Sequence, residues 1–417
     1  MLLKKFEIQS LIANAAQLAE LLPQIATHDR VAVDTEADSL HSYREKLCLL
    51  QLSLSGRRGD TDSSGGEPAR DYIVDPLADV AGPASGRQPL QSQQHDRSSN
   101  KKRRGWAIQP VQQTGCPPGA QRIDLAPLRD ALQTKEIVLH GADFDLRLLH
   151  RSLDFTARRI FDTVIAARLL GIREFSLAAL LERFFDVKLA KGSQKANWAR
   201  RPLSPRMLEY ATNDTHYLLP LAERLETELQ ERDRLEWLRQ SCRRAVEQAA
   251  VSRVRDEDET WRFRGSGSLK GHAAAVLRAL WQWRESEAAA VDRPPFHILQ
   301  NHELLHAAES FAFGSVPDYK HFSPRRRHAF CDAAQSALKS PEEEWPVSRR
   351  RFGTRPSAEV TRRSEELRLR RDQVARELEL EPTFIAPRAT LEAIAADQTR
   401  ATALLVPWQR ELLRIEV

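Results

Sequence analysis

Two carboxylates follow an apolar strand near the start of the chain. The stretch VAVDTEADSLHSY, residues 31 to 43, opens with apolar residues and then places Asp34 and Glu36 where further apolar residues would be expected. Side chains two positions apart on a strand point to the same face. Asp34 and Glu36 are therefore predicted to stand side by side at the end of a buried strand, although like charges repel.

Further acidic residues lie on predicted helices. In LHGADFDLRLL, the strand that ends at His140 passes into a helix whose first turn carries Asp145. In LEYATNDTHYLLPL, Tyr210 and Asp214 are four residues apart and share one face of a helix. Separate segments of the chain thus offer four carboxylates and one phenol to a single cleft.

Four carboxylates in one cleft require cations, because buried anions without compensation are costly. Hard oxygen ligands suit Mg²⁺ or Mn²⁺. Such a cage can hold two ions about 3.5 to 4 Å apart, which stabilises the attacking and leaving oxygens of a phosphoryl displacement. The phenol of Tyr210 would orient the attacking water. Its role as a base is left open, because an unshifted phenol has a pKa of about 10.

Each pattern alone has an ordinary structural explanation. A DxE pair on a strand is common, and a Tyr four residues before an Asp is usually a packed ring beside a solvated acid. The combination favours chemistry: the DxE pair ends a buried strand, Asp145 follows another strand, and the YxxxD pattern comes some seventy residues later.

Strands alternating with helices, then helices alone, predict an α/β domain that ends near residue 225 and an all-α remainder. A short helix is predicted at 10–29, and a later helix begins at Ser204–Pro205. The predicted strands cover 31–36, 46–54, 72–75 and 136–140.

Residues 78 to 121 interrupt the α/β pattern. The segment is rich in Gly, Pro, Ser and Gln and contains a KKRR run, so it cannot bury enough apolar area to fold. We expect a disordered surface insertion. It could be a tail that binds nucleic acid, but a tolerated insertion is the favoured interpretation.

The all-α remainder repeats itself. PPFHILQNHELLHAA (294–308) and EPTFIAPRATLEAIA (381–395) align without gaps, and each follows a charged amphipathic helix. Two small helical domains of similar plan are predicted, separated by a basic linker that contains Pro and Gly.

The quoted motifs, together with IFDTVIAARLLG and NWARRPLSPRMLEY, resemble the ribonuclease D family of 3′–5′ exoribonucleases in the DEDD superfamily. The Tyr before the last Asp marks its DEDDy branch. The resemblance implies a ribonuclease-H-like α/β fold with a mixed sheet flanked by helices. It also implies a role for Tyr210 in orienting water. The implied metal ligands are Asp34, Glu36, Asp145 and Asp214.

Asp143 is a rival to Asp145 for the third ligand position. The family's motif places its Asp directly after an apolar residue, here Phe144, which favours Asp145.

The helical repeats resemble the HRDC domains of ribonuclease D and RecQ-type helicases, the second being degenerate. The predicted plan is an exonuclease domain, a helical connector, an HRDC domain, a basic linker and a second HRDC-like domain. These cover 1–225, 226–269, 270–345, 346–363 and 364–417 respectively.

Several residues are candidates for contacting substrate. His41 and Tyr43 follow the DTE strand and could meet a terminal nucleotide, although Tyr43 could equally be packed. Trp198, beside Arg201, suits stacking on single-stranded RNA, but an anchoring role in the core is at least as consistent. The patch SPRRRHAF (323–330) is a candidate phosphate contact or a solvated face.

The overall charge is weak support for a nucleic-acid partner. The formal net charge is +5, with a sequence pI near 9.1. Residues 81 to 106 alone carry this excess, so the rest of the chain is neutral.

The four scattered cysteines favour a reducing cytoplasm. No signal peptide or membrane-spanning run is expected.

These observations predict a metal-dependent exoribonuclease that releases nucleoside 5′-monophosphates from RNA 3′ ends. By resemblance, the partners are transfer-RNA precursors and the protein is a monomer. Two alternatives are kept: a DNA-directed 3′–5′ exonuclease, since the carboxylate chemistry does not distinguish sugars, and a non-catalytic RNA-binding scaffold.

Overall fold

The fold was analysed in a computed structural model. It describes residues 10–56, 69–78, 123–189, 192–251, 257–346 and 356–416. The insertion predicted at 78–121 lies outside the described residues from 79 onward, as does much of the predicted basic linker.

A mixed sheet forms the centre of the N-terminal half. Its strand order is β1-β4-β3-β2-β5-β6. The pairs of β3 with β2 and with β4 are antiparallel, whereas β1–β4, β2–β5 and β5–β6 are parallel. The mixed sheet that the family resemblance implies is thereby confirmed. The strands are β1 (Ser10–Ile12), β2 (Arg30–Ala37), β3 (Leu47–Leu54), β4 (Arg70–Val74), β5 (Glu136–Leu139) and β6 (Arg159–Asp162).

Helices cover both faces of this sheet. The core between helices and sheet is mainly apolar: all eight residues of β3 are buried, as the largely apolar run LCLLQLSL predicts. We call this part the α/β domain. Its helices are α1 (Ala15–Ala26), α2 (Ala126–Leu132), α3 (Asp143–Leu153), α4 (Thr163–Leu169), α5 (Leu177–Phe185), α6 (Pro205–His216), α7 (Leu218–Glu231) and α8 (Leu235–Ala250).

Three predictions about elements need correction. The helix predicted at 10–29 is instead β1 followed by α1, because the Asn14 side chain accepts from the Gln17 N–H and starts the helix there. Strand β6 was missed, because its sequence RIFD runs directly into α4 with no turn residue between them. The predicted boundary at 225 falls inside α7, and α8 packs on β6 and α3, so the α/β domain extends to Ala250.

The rest of the described chain is helical and forms two units. The first helical unit (257–346) contains α9 to α13 and the second helical unit (356–416) contains α14 to α18. The helices are α9 (Glu257–Thr260), α10 (Gly271–Ala290), α11 (Pro295–Ile298), α12 (Asn301–Ala312), α13 (Pro324–Leu338), α14 (Ala358–Glu377), α15 (Pro382–Ile385), α16 (Arg388–Ala396), α17 (Ala401–Leu404) and α18 (Pro407–Leu412).

The two units share one internal packing device. In the first, buried Arg284 of α10 donates to the carbonyl of Leu299 at 3.2 Å. In the second, buried Arg371 of α14 donates to the carbonyl of Ala386 at 2.9 Å. Leu299 and Ala386 occupy the same position in the gapless alignment of the two segments. The repetition seen in the sequence is therefore also present in the packing.

The units differ in how they join the α/β domain. The second shares its apolar core: Trp408 stacks on Trp237 of α8 with ring centroids 5.0 Å apart, and the Arg168 guanidinium lies 4.2 Å from the Phe384 ring. The first unit has a core of its own. In the described part of the chain, no helix is both long and apolar enough to cross a membrane.

Candidate active site

Strand β2 carries the first two carboxylates to the edge of a cleft. Val31, Ala32 and Val33 are at most 1% exposed and anchor the strand in the core. Asp34 and Glu36 follow, both only partly exposed, and the register of β2 on β3 shifts after Glu36. The alternation of strand side chains places these two carboxylates on one face, as predicted.

The turn between β5 and α3 positions Asp145. Gly141 has a φ of +78°, a conformation in which glycine is unstrained. The carboxylate of Asp162 accepts from the N–H groups of Gly141 and Ala142 at 3.1 and 2.9 Å and also caps α4. One buried carboxylate thus fixes the start of α3. Asp145 follows in its first turn.

Asp145 is 5% exposed and is held by β2. Its Oδ1 accepts from the backbone N–H and the hydroxyl of Thr35, at 3.1 and 2.5 Å. Its rival Asp143 is 72% exposed and pairs with Arg147 one turn along the helix. The geometry therefore favours Asp145 as the residue of α3 that belongs to the cleft.

Helix α6 brings Tyr210 and Asp214. It begins where the sequence predicts, with Ser204 accepting from the Met207 N–H and Pro205 in the first position. The Tyr210 hydroxyl hydrogen-bonds to the Asp214 carboxylate. Its ring lies against Gly192, where an added Cβ would be 1.9 Å from Cδ2.

The carboxylates meet in one cleft. Oxygen atoms of Asp34, Glu36 and Asp214 lie within 4.8 Å of one another, and Asp145 interacts electrostatically with all three. The cleft has a volume of about 470 Å³. It is lined by the four carboxylates and Tyr210, and by Leu40, Phe144, Ser176 and Gln194 among others.

The electrostatics of this cluster call for cations. Burial, reinforced by the neighbouring carboxylates, raises the pKa of Glu36 to about 9 and the pKa of Asp34 well above its usual range. Burial also raises the pKa of Asp214 to about 7 and that of Asp145 to about 6. A set of oxygen ligands that holds protons because burial, and then neighbouring negative charge, disfavours ionisation fits hard divalent cations, which would replace those protons.

The same environment bears on Tyr210. Burial, followed by the charges of Asp214, Glu36 and Asp34, raises the pKa of its phenol well above the usual value. A phenol that holds its proton this firmly is suited to donate or orient, and unsuited to accept a proton near neutral pH.

Two of the candidate substrate residues are structural. Trp198 is 1% exposed and packs beside the Tyr210 ring, with centroids 6.0 Å apart. Of the two interpretations that the sequence left open, this burial favours the anchoring role in the core over stacking on RNA. Arg201 is committed to Asp75 through two hydrogen bonds and to the carbonyls of Trp198 and Cys48. It is therefore not available to a phosphate.

His41 and Tyr43 lie on residues 38–46, here called the rim loop. The Tyr43 ring packs against the core of the first helical unit and hydrogen-bonds to Glu285, so it does not face the cleft. His41 is partly exposed, with Nε2 3.3 Å from the Lys195 carbonyl. Its predicted contact with substrate stays a prediction.

The basic patch at 323–330 is largely neutralised within the first helical unit. Arg326 pairs with Glu287 at 3.0 Å and Arg327 with Asp318 at 2.9 Å. This leaves Arg325 as the exposed arginine of the patch without an ion pair among the described residues.

Two apolar side chains of the cleft escaped the sequence reasoning. Leu40 and Phe144 are 43% and 45% exposed, and both line the cleft beside the carboxylates. Exposed apolar surface next to a charged centre is suited to contact a nucleobase. Their positions, four residues after Glu36 and one before Asp145, were visible in the sequence, but their exposure was not.

Comparison with known proteins identifies two domains in this chain. Residues 97–230 match the family described as "3'-5' exonuclease", and residues 273–311 match the family described as "HRDC domain". Among solved structures, a protein from Bifidobacterium adolescentis has a TM-score of 0.69 at 21% identity, covering 97% of this chain and 95% of that one. The fold and these families define an exonuclease domain joined to an HRDC domain.

Proteins of similar sequence identify the family of the chain more narrowly. A ribonuclease D of Xanthomonas oryzae pv. oryzae is 30% identical over 304 residues, which cover 70% of this chain and 81% of that protein. The chain belongs to the ribonuclease D family. The ribonuclease D of Zymomonas mobilis is 28% identical, and the match covers 72% of this chain but 64% of that relative. Escherichia coli RNase D, at 19% identity, has a TM-score of 0.65 and coverage of 97% and 96%.

Proposed function

We propose that this protein is a metal-dependent 3′–5′ exoribonuclease that releases nucleoside 5′-monophosphates. The observation that carries the proposal is the convergence of four carboxylates from β2, α3 and α6 beside one phenol. Its HRDC domain and its place in the ribonuclease D family support an RNA substrate.

We propose Asp34, Glu36, Asp145 and Asp214 as the residues that would hold two Mg²⁺ or Mn²⁺ ions. When bound, such ions neutralise charge on the scissile phosphate and favour ionisation of the attacking water. Thr35 holds the carboxylate of Asp145 in place, and the hydroxyl of Tyr210, which hydrogen-bonds to Asp214, would orient the water.

The open cleft suits a chain end. Leu40 and Phe144 present apolar surface beside the carboxylates, where the terminal nucleobase would lie. Escherichia coli RNase D is described as "an exoribonuclease involved in structured RNA processing". By this likeness we propose 3′-extended transfer-RNA precursors as substrates. The monomeric state and the cytoplasmic location stay predictions.

The first experiment is a nucleotide-release assay on a 3′-extended transfer RNA and an unstructured oligonucleotide, with and without EDTA. We expect nucleoside 5′-monophosphates that disappear with EDTA. Release that is unaffected by EDTA would exclude the metal-dependent reaction. Absence of release would favour the RNA-binding scaffold, and faster digestion of a DNA oligonucleotide of the same sequence would favour the DNA exonuclease.

A matched pair of variants tests the assignment of residues. Asp145→Asn should lower hydrolysis by at least about 10³-fold, because it removes one charge from the cation cage. RNA binding should be retained. Asp143→Asn, on the same helical turn but exposed, serves as the control and should behave like the wild type. Loss of activity in the control alone would reverse the assignment. Asp34→Asn should reproduce the Asp145→Asn result.

A further inference from the structure

A buried amide lies directly opposite the first carboxylate of the cluster. Gln51 of β3 pairs with Asp34 of β2 in the antiparallel register. It is 0% exposed, and neither its Nε2 nor its Oε1 has a hydrogen-bond partner among the described residues. Buried amides are nearly always paired, so an unpaired one on a central strand calls for a reason.

The neighbours of Gln51 show where its side chain points. Residues directly opposite on antiparallel strands share a face of the sheet. Leu49, two positions before, clusters with Trp198 and Ala211, and Ser53, two positions after, hydrogen-bonds to the Thr215 hydroxyl at 2.8 Å. Gln51 therefore lies beneath α6, on the face that carries Asp34.

Asp34 differs from Asp145 and Asp214 in lacking a hydrogen bond from a described side chain. Asp145 accepts from the hydroxyl of Thr35, and Asp214 is hydrogen-bonded by Tyr210. No described side chain donates to Asp34. An unpaired donor thus lies across the strand pair from an acceptor without a side-chain donor, and opposite Cβ atoms in such a pair are about 5 Å apart.

We propose that Gln51 is a positioning residue for metal binding: its Nε2–H donates to the Asp34 carboxylate when that carboxylate is a ligand. A hydrogen bond to the charged form favours ionisation, and carboxylates that bind metals are usually held by such partners. The proposal rests on the proposed function, since it assigns a role toward the cations of that site.

The side chain of Gln51 is expected to have opposite effects in the metal-free and the metal-bound protein. Without metal, an unpaired buried amide destabilises the fold, so an apolar residue of similar volume should be tolerated or stabilising. With metal, the same replacement removes a donor from a ligand. The variant Gln51→Met should therefore keep or raise the unfolding temperature of the metal-free protein while weakening its affinity for metal.

The test is a calorimetric titration of EDTA-treated full-length protein with MnCl₂, combined with thermal unfolding of the same samples. We expect Gln51→Met to weaken Mn²⁺ binding by about 10- to 100-fold, the range found for partners of metal ligands. The control Ser53→Ala removes a satisfied hydroxyl from the same face of β3. It should lower the unfolding temperature and leave Mn²⁺ affinity unchanged.

The outcomes separate this proposal from the proposed function. If the wild type binds no Mn²⁺, the proposed function fails. If the wild type binds and Gln51→Met binds equally well, only the role of Gln51 is overturned. A loss of affinity accompanied by a lowered unfolding temperature shows a merely structural role and also overturns it. Gln51→Leu provides a second apolar replacement with the same expected result.

Discussion

The carboxylates of the cleft are tuned differently by their surroundings. Asp145 is held by two hydrogen bonds from Thr35 and has the smallest rise in pKa, to about 6. Glu36 has no such partner among the described residues, and burial with its acidic neighbours raises its pKa to about 9. The hydrogen bonds that orient the Asp145 carboxylate are thus also those that favour its ionised form.

This tuning makes the stability of the metal-free protein depend on pH. Each raised pKa adds stability that is full below the unfolded value of about 4 and is lost as pH rises through the folded value. For Asp145, Asp214 and Glu36 those folded values are about 6, about 7 and about 9. From these groups, the metal-free protein should lose stability from about pH 4 to pH 9.

Metal binding should reverse this trend, because cations bind the ionised carboxylates. We expect MnCl₂ to raise the unfolding temperature little at about pH 5 and most at about pH 9, measured by calorimetry against EDTA-treated protein. In Asp34→Asn the increase at high pH should be reduced. An equal increase at both ends of this range would contradict the linkage.

At the scale of elements, the cleft depends on where α3 and α6 begin and on what lies behind them. Asp162 fixes the start of α3 and Ser204 that of α6. The segment between α5 and α6 then supplies two supports for the Tyr210 ring: Gly192, which it closely approaches, and buried Trp198. The phenol is therefore held from outside its own helix.

Gly192→Ala should displace the Tyr210 ring, since the new Cβ would lie 1.9 Å from Cδ2 and 2.6 Å from Cε2. We expect single-turnover hydrolysis to fall by about 10²-fold with RNA binding largely kept, as small displacements of reacting groups have effects of this size. The defect should resemble that of Tyr210→Phe.

The matched control is Gly267→Ala, because a Cβ there meets no atom within 4 Å. It should hydrolyse RNA at the rate of the wild type. Equal rates for both alanine variants would show that Gly192 does not support the phenol.

Sequence patterns predicted the elements whose residues signal their own structure. The buried run of β3, the N-cap of α6 and the spacing of Asp34 with Glu36 all follow from local rules. Strand β6 was missed because its sequence RIFD runs directly into α4, with no turn residue between them to mark the end of a strand. The burial of Trp198 and the pairing of Arg201 with Asp75 depend on contacts distant in the chain, which no local pattern reveals.

At the scale of the molecule, the HRDC domain reaches the rim of the cleft. Asp292, just after α10, accepts from the N–H groups of Tyr43 and Arg44 and from the Ser42 hydroxyl, at 3.1, 3.2 and 3.1 Å. The rim loop is held from the other side by buried Asp38. Leu40 lies between these anchors and lines the cleft.

Asp292→Ala should loosen the rim loop, because it removes the acceptor of the hydrogen bonds from Ser42, Tyr43 and Arg44. Hydrogen bonds to a charged group contribute about 1.5 to 3 kcal/mol each to stability. We expect amide exchange at 42–44 to accelerate by at least about tenfold. The KM for a short RNA should rise more than kcat falls. Both are measured on the full-length protein, by mass spectrometry and by initial rates.

Asp318→Ala controls for the loss of an acidic side chain elsewhere in the same domain. Asp318 is 68% exposed and pairs with Arg327, away from the rim loop. Protection at 42–44 should be unchanged in this variant. A similar loss of protection in both variants would exclude a specific role for Asp292.

The shared interior of the α/β domain and the second helical unit has a consequence for how this chain can vary. A segment at the far end of the sequence forms part of the wall of the α/β domain, because Trp408 and Phe384 rest on side chains of α8 and α4. Substitutions in this segment are therefore subject to the same steric limits as substitutions behind the cleft. In its tolerance of mutation, the second helical unit belongs to the interior of the α/β domain.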